Sequence, residues 1–214
     1  MAIHSCMDIV PIFDGLNPEQ KREISDAITH IKVKRNETLY LPGDTLDTLY
    51  ILASGQIHLV KLNENGKEQL VSILQPGEFM GELSIFNTSK TETMAVAKKD
   101  SLLCTLRYDA FQAFLLRTPQ VAMKMLQALS VRVQAAQRQT LTIATDSVQN
   151  RIGRYLLETG GDIGMAKKDL ASYLGTTPES VSRTLTALEE QGAIRPTHAR
   201  KFAILKKELL LHEE

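Results

Sequence analysis

Within Pro178-Glu-Ser-Val-Ser-Arg-Thr-Leu-Thr186, three side chains carry the hydrogen-bonding groups that read base edges: Glu179, Ser182 and Arg183. An arginine donates two bonds to guanine O6 and N7, a carboxylate accepts from cytosine N4, and a hydroxyl serves either kind of base. Wound as a helix, these residues and Thr186 share one face, while Val181, Leu185 and Leu188 fall on the other at spacings of four and three. The group lies near the N-terminal end of that helix, the end a recognition helix pushes into the major groove. Lys167, Lys168, Thr177, Thr186, His198, Arg200 and Lys201 flank it with donors suited to phosphate oxygens.

The surrounding sequence supplies elements that would hold these groups in place. Thr177 reads as an N-cap with Pro178 at the first helical position. Before it, Leu170, Ala171 and Leu174 form the inner face of a short helix that ends in a turn at Gly175. After it, Ile194 to Ile204 alternates through a hairpin whose tip holds His198, Arg200 and Lys201, a wing. Each feature alone also describes an amphipathic helical hairpin with a solvated charged face; cap, turn, spacing and wing together predict binding to double-stranded DNA.

Composition sets the frame. The chain has 214 residues, 43% hydrophobic and 23% charged, with a formal net charge of zero. That is ordinary for one or two globular domains, and it leaves any DNA binding to the local placement of charge. No apolar run approaches the roughly 20 residues of a membrane helix, and the apolar start carries no Lys or Arg before Asp8 and Pro11, so a cytoplasmic protein is expected. The motifs of enzymes are missing: no P-loop, no G-x-G-x-x-G, no H-E-x-x-H and no nucleophile elbow. Gly160-Gly-Asp-Ile-Gly164 has the wrong spacing for a phosphate loop. Two cysteines, Cys6 and Cys104, are too few for a disulfide scaffold or an all-thiolate metal site, and no metal ligands are assigned.

Three sections follow along the chain. Residues 1–118 read as a sensor or effector domain. It opens with a short helix capped by Asn17, with Pro18 at N1 and Gln20 at N3. Six or more short strands follow, at 31–35, 49–52, 56–62, 68–74, 94–97 and 102–106, with a hairpin turn at Asn63-Glu-Asn-Gly66. That spacing suits a sandwich, jelly roll or barrel. Residues 119–145 read as one helix, with Thr118 as cap and Pro119 at N1. Along it Ala122, Leu126, Leu129, Val133, Ala136, Thr140 and Ile143 make a heptad seam beside a flank rich in Gln and Arg, including Arg132, as a helix standing away from its domain would have. A homodimer is expected from that seam, against the alternative that it packs on its own roll. Residues 146–214, opening with a helix capped by Asp146 or Ser147, hold the DNA-reading elements. The fold class expected is α+β: a β jelly roll, a long dimerisation helix and a winged helix-turn-helix. A dimeric protein-interaction module is the rival of another class, but it leaves Glu179, Ser182, Arg183 and the wing without a task.

This arrangement resembles the CRP/FNR family of bacterial transcription regulators over nearly the whole chain. Gly55-Gln-Ile57, Pro76-Gly-Glu-Phe-Met-Gly-Glu-Leu83 and Pro178-Glu-Ser-Val-Ser-Arg183 carry the resemblance. It implies a roll of the cyclic-nucleotide-binding type, parallel dimer helices, a palindromic operator and contact with RNA polymerase. Members that bind cyclic AMP place Arg-Ser or Arg-Thr after the Gly-Glu-Leu motif. Here the pair is Glu92-Thr93, and a carboxylate facing a phosphate repels it, so cyclic AMP binding is not expected. Gly81 and Glu82 remain as a degenerate effector pocket, with closure of a turn as their expected role. The FNR branch holds an iron–sulfur cluster on four cysteines, and two cannot do so in the usual way, so no cofactor is assigned. The Glu-x-x-Ser-Arg pattern is nevertheless FNR-type, whereas CRP has Arg at the position of Pro178 and Gly at that of Ser182. TTGA-like half-sites are therefore expected.

FNR-like regulators of low-GC Gram-positive bacteria with a lone cysteine pair look like the nearest relatives. The expectation drawn from this is a redox switch in which Cys6, on a mobile N-terminal arm, bonds Cys104 and alters DNA affinity. Closing a loop of that length restricts the unfolded chain by about 4–5 kcal/mol in the chain-entropy model. The alternatives are inert cysteines with control by an unidentified small ligand, constitutive activity, or metal or haem ligation by Cys6 with His4 or His58.

Overall fold

The computed structural model describes residues 9–62, 68–83 and 90–211. Two compact units are present, Met1–Arg132 and Val133–Glu214. The first is built around two four-stranded antiparallel sheets, as follows.

A helix, α1 (Pro18–Ala27), starts on a complete capping box: the Asn17 side chain accepts from Gln20 N–H at 2.9 Å, and the Gln20 side chain accepts from Asn17 N–H at 3.0 Å. Eight strands follow: β1 (Ile28–Val33), β2 (Thr38–Tyr40), β3 (Thr48–Ser54), β4 (Ile57–Leu62), β5 (Glu68–Leu74), β6 (Phe79–Met80), β7 (Met94–Ala97) and β8 (Ser101–Arg107). One sheet has the order β1-β8-β3-β6 and the other β2-β7-β4-β5. β4 pairs with β5 through Leu62 and Glu68; the expected turn at 63–66 lies outside the described residues.

Strand side chains alternate between faces, and the first sheet uses both. Val33, Leu52, Met80 and Leu103 meet Tyr40, Ile57, Leu74, Ala95 and Ala97 of the second sheet in the core of the roll. On the opposite face, Leu49 and Ile51 of β3 and Cys104 and Leu106 of β8 are covered by helices. The cover comes from α2 (Tyr108–Arg117), with Phe111 and Phe114, and from the start of α3 (Pro119–Thr145), with Val121 and Met125. Val10, Ile12, Phe13 and Leu16 complete this second core. The N-terminal segment is thus held from Val10 onward, and Lys124 of α3 donates to the Asp14 carbonyl at 2.6 Å. Residues 1–8, including Cys6 and the arm expected to be mobile, lie outside the described residues.

The stretch after β8, to which the sequence reading gives no element, is a helix, α2. Thr118 closes α2: its N–H donates to Phe114 O at 2.9 Å, and its carbonyl takes the N–H of Val121 at 3.0 Å.

In the second unit, α4 (Val148–Glu158) is capped by Ser147, whose hydroxyl accepts from Asn150 N–H at 3.2 Å. Asp146 instead pairs with Arg154 at 2.8 Å. Then come α5 (Lys167–Tyr173), α6 (Pro178–Glu190), and the hairpin β9 (Ile194–His198) with β10 (Lys201–Ile204). Leu170 and Ala171 of α5 and Val181, Leu185 and Leu188 of α6 are buried, as is Leu174 just beyond α5. Gly153 lets the chain near Leu210 lie against α4: a Cβ there would stand 2.1 Å from the Leu210 carbonyl oxygen. Among the described residues no helix is long and apolar enough to cross a membrane.

Candidate nucleic-acid interface

α6 opens at Thr177, whose hydroxyl accepts from Ser180 N–H at 3.2 Å, and its inward face is fixed by Val181, Leu185 and Leu188. That fixes the outward face by helical geometry. Glu179, Arg183 and Thr186 are exposed there, and Ser182 is half-buried. The Glu179 backbone N–H and the Thr177 hydroxyl hold the Glu179 carboxyl below the usual carboxylate range. Glu179 is therefore an acceptor across the neutral and mildly acidic range. Lys167 donates from Nζ to Ser182 Oγ at 3.3 Å, which brings a cation from the start of α5 beside the outward face of α6.

The wing turns at Arg200, which takes φ +70, and its carbonyl accepts from Ile163 N–H at 2.9 Å. His198, Arg200 and Lys201 are exposed. Lys201 is also paired with Asp162 at 3.0 Å, so a phosphate would compete for its charge. Lys168 is exposed at the start of α5. Asp162 carried no signal in the sequence reading, because it precedes the helix pair and meets the wing only through the fold.

The residues of the expected seam lie on α3 with unequal exposure. Leu126, Val133, Ala136 and Thr140 are exposed, with Leu126 at 57% and Val133 at 56%. Ala122, Leu129 and Ile143 are half-buried: Leu129 packs on the helix-covered core, and Ile143 stands against Gly175. The polar flank is not all solvated. Arg132 of α3 reaches Glu82 at 3.1 Å and the Phe79 carbonyl at 2.6 Å, with its guanidinium 4.4 Å from the Phe79 ring centre. The sequence gives no sign of this pair, since 50 residues separate the partners.

A cavity of about 360 Å³ opens beside this pair, lined by Tyr40, Leu59, Val71, Met80, Lys61 and Glu92 among others. Gly81 takes φ +89 with the Thr48 carbonyl 2.8 Å from where a Cβ would lie, a position that favours glycine. Glu82, by contrast, is engaged by Arg132. Lys61 Nζ lies 2.5 Å from Glu92, and its hydrogen bond and charge hold the Glu92 carboxyl below the usual range. A cyclic phosphate placed here would meet an ionised carboxylate whose neighbouring cation is already paired. The residues do not fit a cyclic nucleotide. Thr93 lines the same cavity and carries an uncharged hydroxyl.

Cys104 lies on β8 between His30 of β1 and Ile51 of β3, fully buried in the helix-covered core. Cys6, like His4, lies outside the described residues, whereas His58 is buried on β4 of the other sheet. Among the described residues no group of three or more His, Cys, Asp and Glu side chains is placed to hold a metal ion.

A sheet sandwich with a cavity, a long helix and a winged helix-turn-helix together define a class: regulators that join a β roll to a DNA-reading head. Residues 30–118 match the family described as "Cyclic nucleotide-binding domain" and residues 150–213 that described as "Crp-like helix-turn-helix domain". The chain is 35% identical over 198 residues to the "Probable transcriptional regulator flp" of Lacticaseibacillus casei, covering 89% of this chain and 90% of that one. It is 30% identical over 209 residues to the "Cyclic AMP receptor protein" of Thermus thermophilus, covering 92% and 95%. Among solved structures, the Thermus thermophilus catabolite activator protein is similar at 28% identity and a TM-score of 0.57, covering 94% and 96%. FixK2 from Bradyrhizobium japonicum shares the fold at 22% identity and a TM-score of 0.74, covering 86% and 95%. The chain belongs to the CRP/FNR family of DNA-binding transcription regulators and is not an enzyme.

Proposed function

We propose that the protein works as a homodimer on palindromic operators with TTGA-like half-sites, and that its DNA affinity is set by a disulfide between Cys6 and Cys104. The observation that carries the reading is the outward face of α6, where Glu179, Ser182 and Arg183 are held at the helix start by the buried Val181 and Leu185. Lys167, Lys168, Thr177, Thr186, His198, Arg200 and Lys201 are assigned to the phosphates on either side. The exposed Leu126, Val133, Ala136 and Thr140 support a two-stranded seam, because apolar residues repeating at this spacing are buried by a second helix. Membership of the family supports contact with RNA polymerase and a cytoplasmic location.

Redox control draws its support from the second core. Cys104 is buried there, and Cys6 is the chain's other cysteine. Val10 is buried in the same core as Cys104. The few residues from Cys6 to Val10 span at most roughly 14 Å when extended, a length compatible with the proposed bond. The cavity beside Tyr40 and Leu59 favours a second reading, control by a small ligand that is not a cyclic nucleotide.

The test is binding to a duplex carrying two TTGA half-sites, with reductant and with mild oxidant, while free thiols are counted. Salt-sensitive binding that changes as two thiols disappear supports both parts. Binding that ignores redox state removes the switch and leaves the ligand reading. Absence of binding to TTGA, with binding to another palindrome, removes the half-site assignment.

A further inference from the structure

The helix that precedes the recognition helix has an unusual set of partners at its C-terminal end. The last carbonyls of any helix lack intrahelical donors and need others. In α5 the chain answers for part of them: Leu174 N–H bonds Leu170 O at 2.9 Å, and Thr176 N–H bonds Ala171 O at 2.9 Å. This leaves the carbonyls of Tyr173, Leu174 and Gly175, the three residues that begin the turn into α6. Each is taken by a side chain from another helix. Gln139 of α3 donates from Nε2 to Tyr173 O at 2.9 Å. Arg151 of α4 donates from Nη1 to Leu174 O at 2.5 Å and to Gly175 O at 3.2 Å.

The packing around these bonds leaves the turn little freedom. Gly175 has φ +63, and a Cβ on it would stand 3.3 Å from Ile143 of α3 and 3.4 Å from Arg151 Nη1. Arg151 Nε is buried and finds no acceptor among the described residues. The guanidinium therefore gives up a hydrated donor in order to reach the turn, which a side chain with only a surface role would not do. A cation at a helix C-terminus is also favoured by the aligned peptide dipoles.

We infer that Gln139 and Arg151 are positioning residues for DNA recognition. They clamp the three carbonyls of the helix-turn-helix turn and so fix where α6 starts relative to the helix that carries Val133, Ala136 and Thr140. Neither residue touches DNA in this assignment. The inference rests on α6 being the recognition helix, and it does not depend on the half-site sequence or on the cysteines.

The experiment uses the full chain and an operator recovered by selection from randomised duplexes, so that failure of the TTGA assignment leaves it intact. The quantity read is the ratio of affinity for that operator to affinity for a scrambled duplex. In Gln139→Leu and in Arg151→Met the ratio falls about tenfold or more, as expected for loss of a buried bond or a charged one. The affinity for scrambled duplex and its salt dependence stay at the wild-type level, since no phosphate contact is removed. Gln139→Lys and Arg151→Lys each keep a donor and restore the ratio to within about threefold. The lysine variants also guard against a chain that merely fails to fold, because they retain the aliphatic stem. An unchanged ratio in Gln139→Leu and Arg151→Met overturns the proposal. So does a loss that the lysine variants share in full, which would make the positions matter for packing rather than for donation. A wild-type protein that sediments as a monomer would sink the homodimer reading alone, because the ratio is still measured on the selected site.

Discussion

At the scale of single residues the reading face of α6 makes the sharpest demands. Replacing Arg183 by Ala is expected to cost about 1–3 kcal/mol of specific binding and to relax one base position in each half-site; competition among single-base variants of the operator checks both. Substituting Cys104 by Ala is expected to abolish any difference in DNA affinity between reducing and oxidising buffer. In the wild type, reduction should lower stability by about 2–5 kcal/mol, read as a shift of the denaturant midpoint. Tyr40 and Tyr155 give a pH signature. Burial raises both phenols from 10.0 to about 12. A raised folded value means that the neutral phenols contribute stability in full below pH 10 and lose it as the pH climbs toward 12. Tyr40→Phe should therefore flatten part of the stability loss in that alkaline window. The outward set Glu179, Ser182 and Arg183 was legible from helical spacing alone, because inward and outward faces alternate with the 3.6-residue period. The Arg132–Glu82 and Lys61–Glu92 pairs were not legible, because they depend on how distant strands and helices are brought together.

At the scale of elements, local signals and tertiary packing divide the work. Caps written in the sequence recur in the structure at Asn17 and Thr177, where a short polar side chain meets an otherwise unpaired N–H. Thr177→Ala removes such a bond and is expected to cost about 1 kcal/mol, seen as a lower melting temperature. Gly153→Ala should cost more, because α4 would have to move away from the Leu210 carbonyl; a loss of the unfolding cooperativity of the DNA-reading unit, followed by hydrogen exchange in α4, is the measurement. α2 was missed for an identifiable reason. It follows β8 directly, with no Gly or Pro between them, so that the only warning was the pair Phe111 and Phe114 three residues apart.

At the scale of the whole molecule, the order of roll, long helix and winged head was readable because the hydrophobic period changes along the chain from two to 3.5 and then to short amphipathic helices. What the period could not give was the division of α3 between duties. Its Val121 and Met125 close a core, its Leu126 and Val133 are left exposed, and its Gln139 serves a turn. Introducing Glu at both Leu126 and Val133 should leave the roll folded, shift sedimentation to the monomer, and abolish tight operator binding while sparing weak binding to scrambled DNA. The clamp on the turn has a further consequence for descent and redesign. Its acceptors at Tyr173, Leu174 and Gly175 are main-chain oxygens, and its donors lie off α6 altogether. Mutations on the outer face of α6 can therefore rewrite which promoters are recognised while the mechanical linkage to the long helix is inherited unchanged, so a new regulon does not require a new means of control.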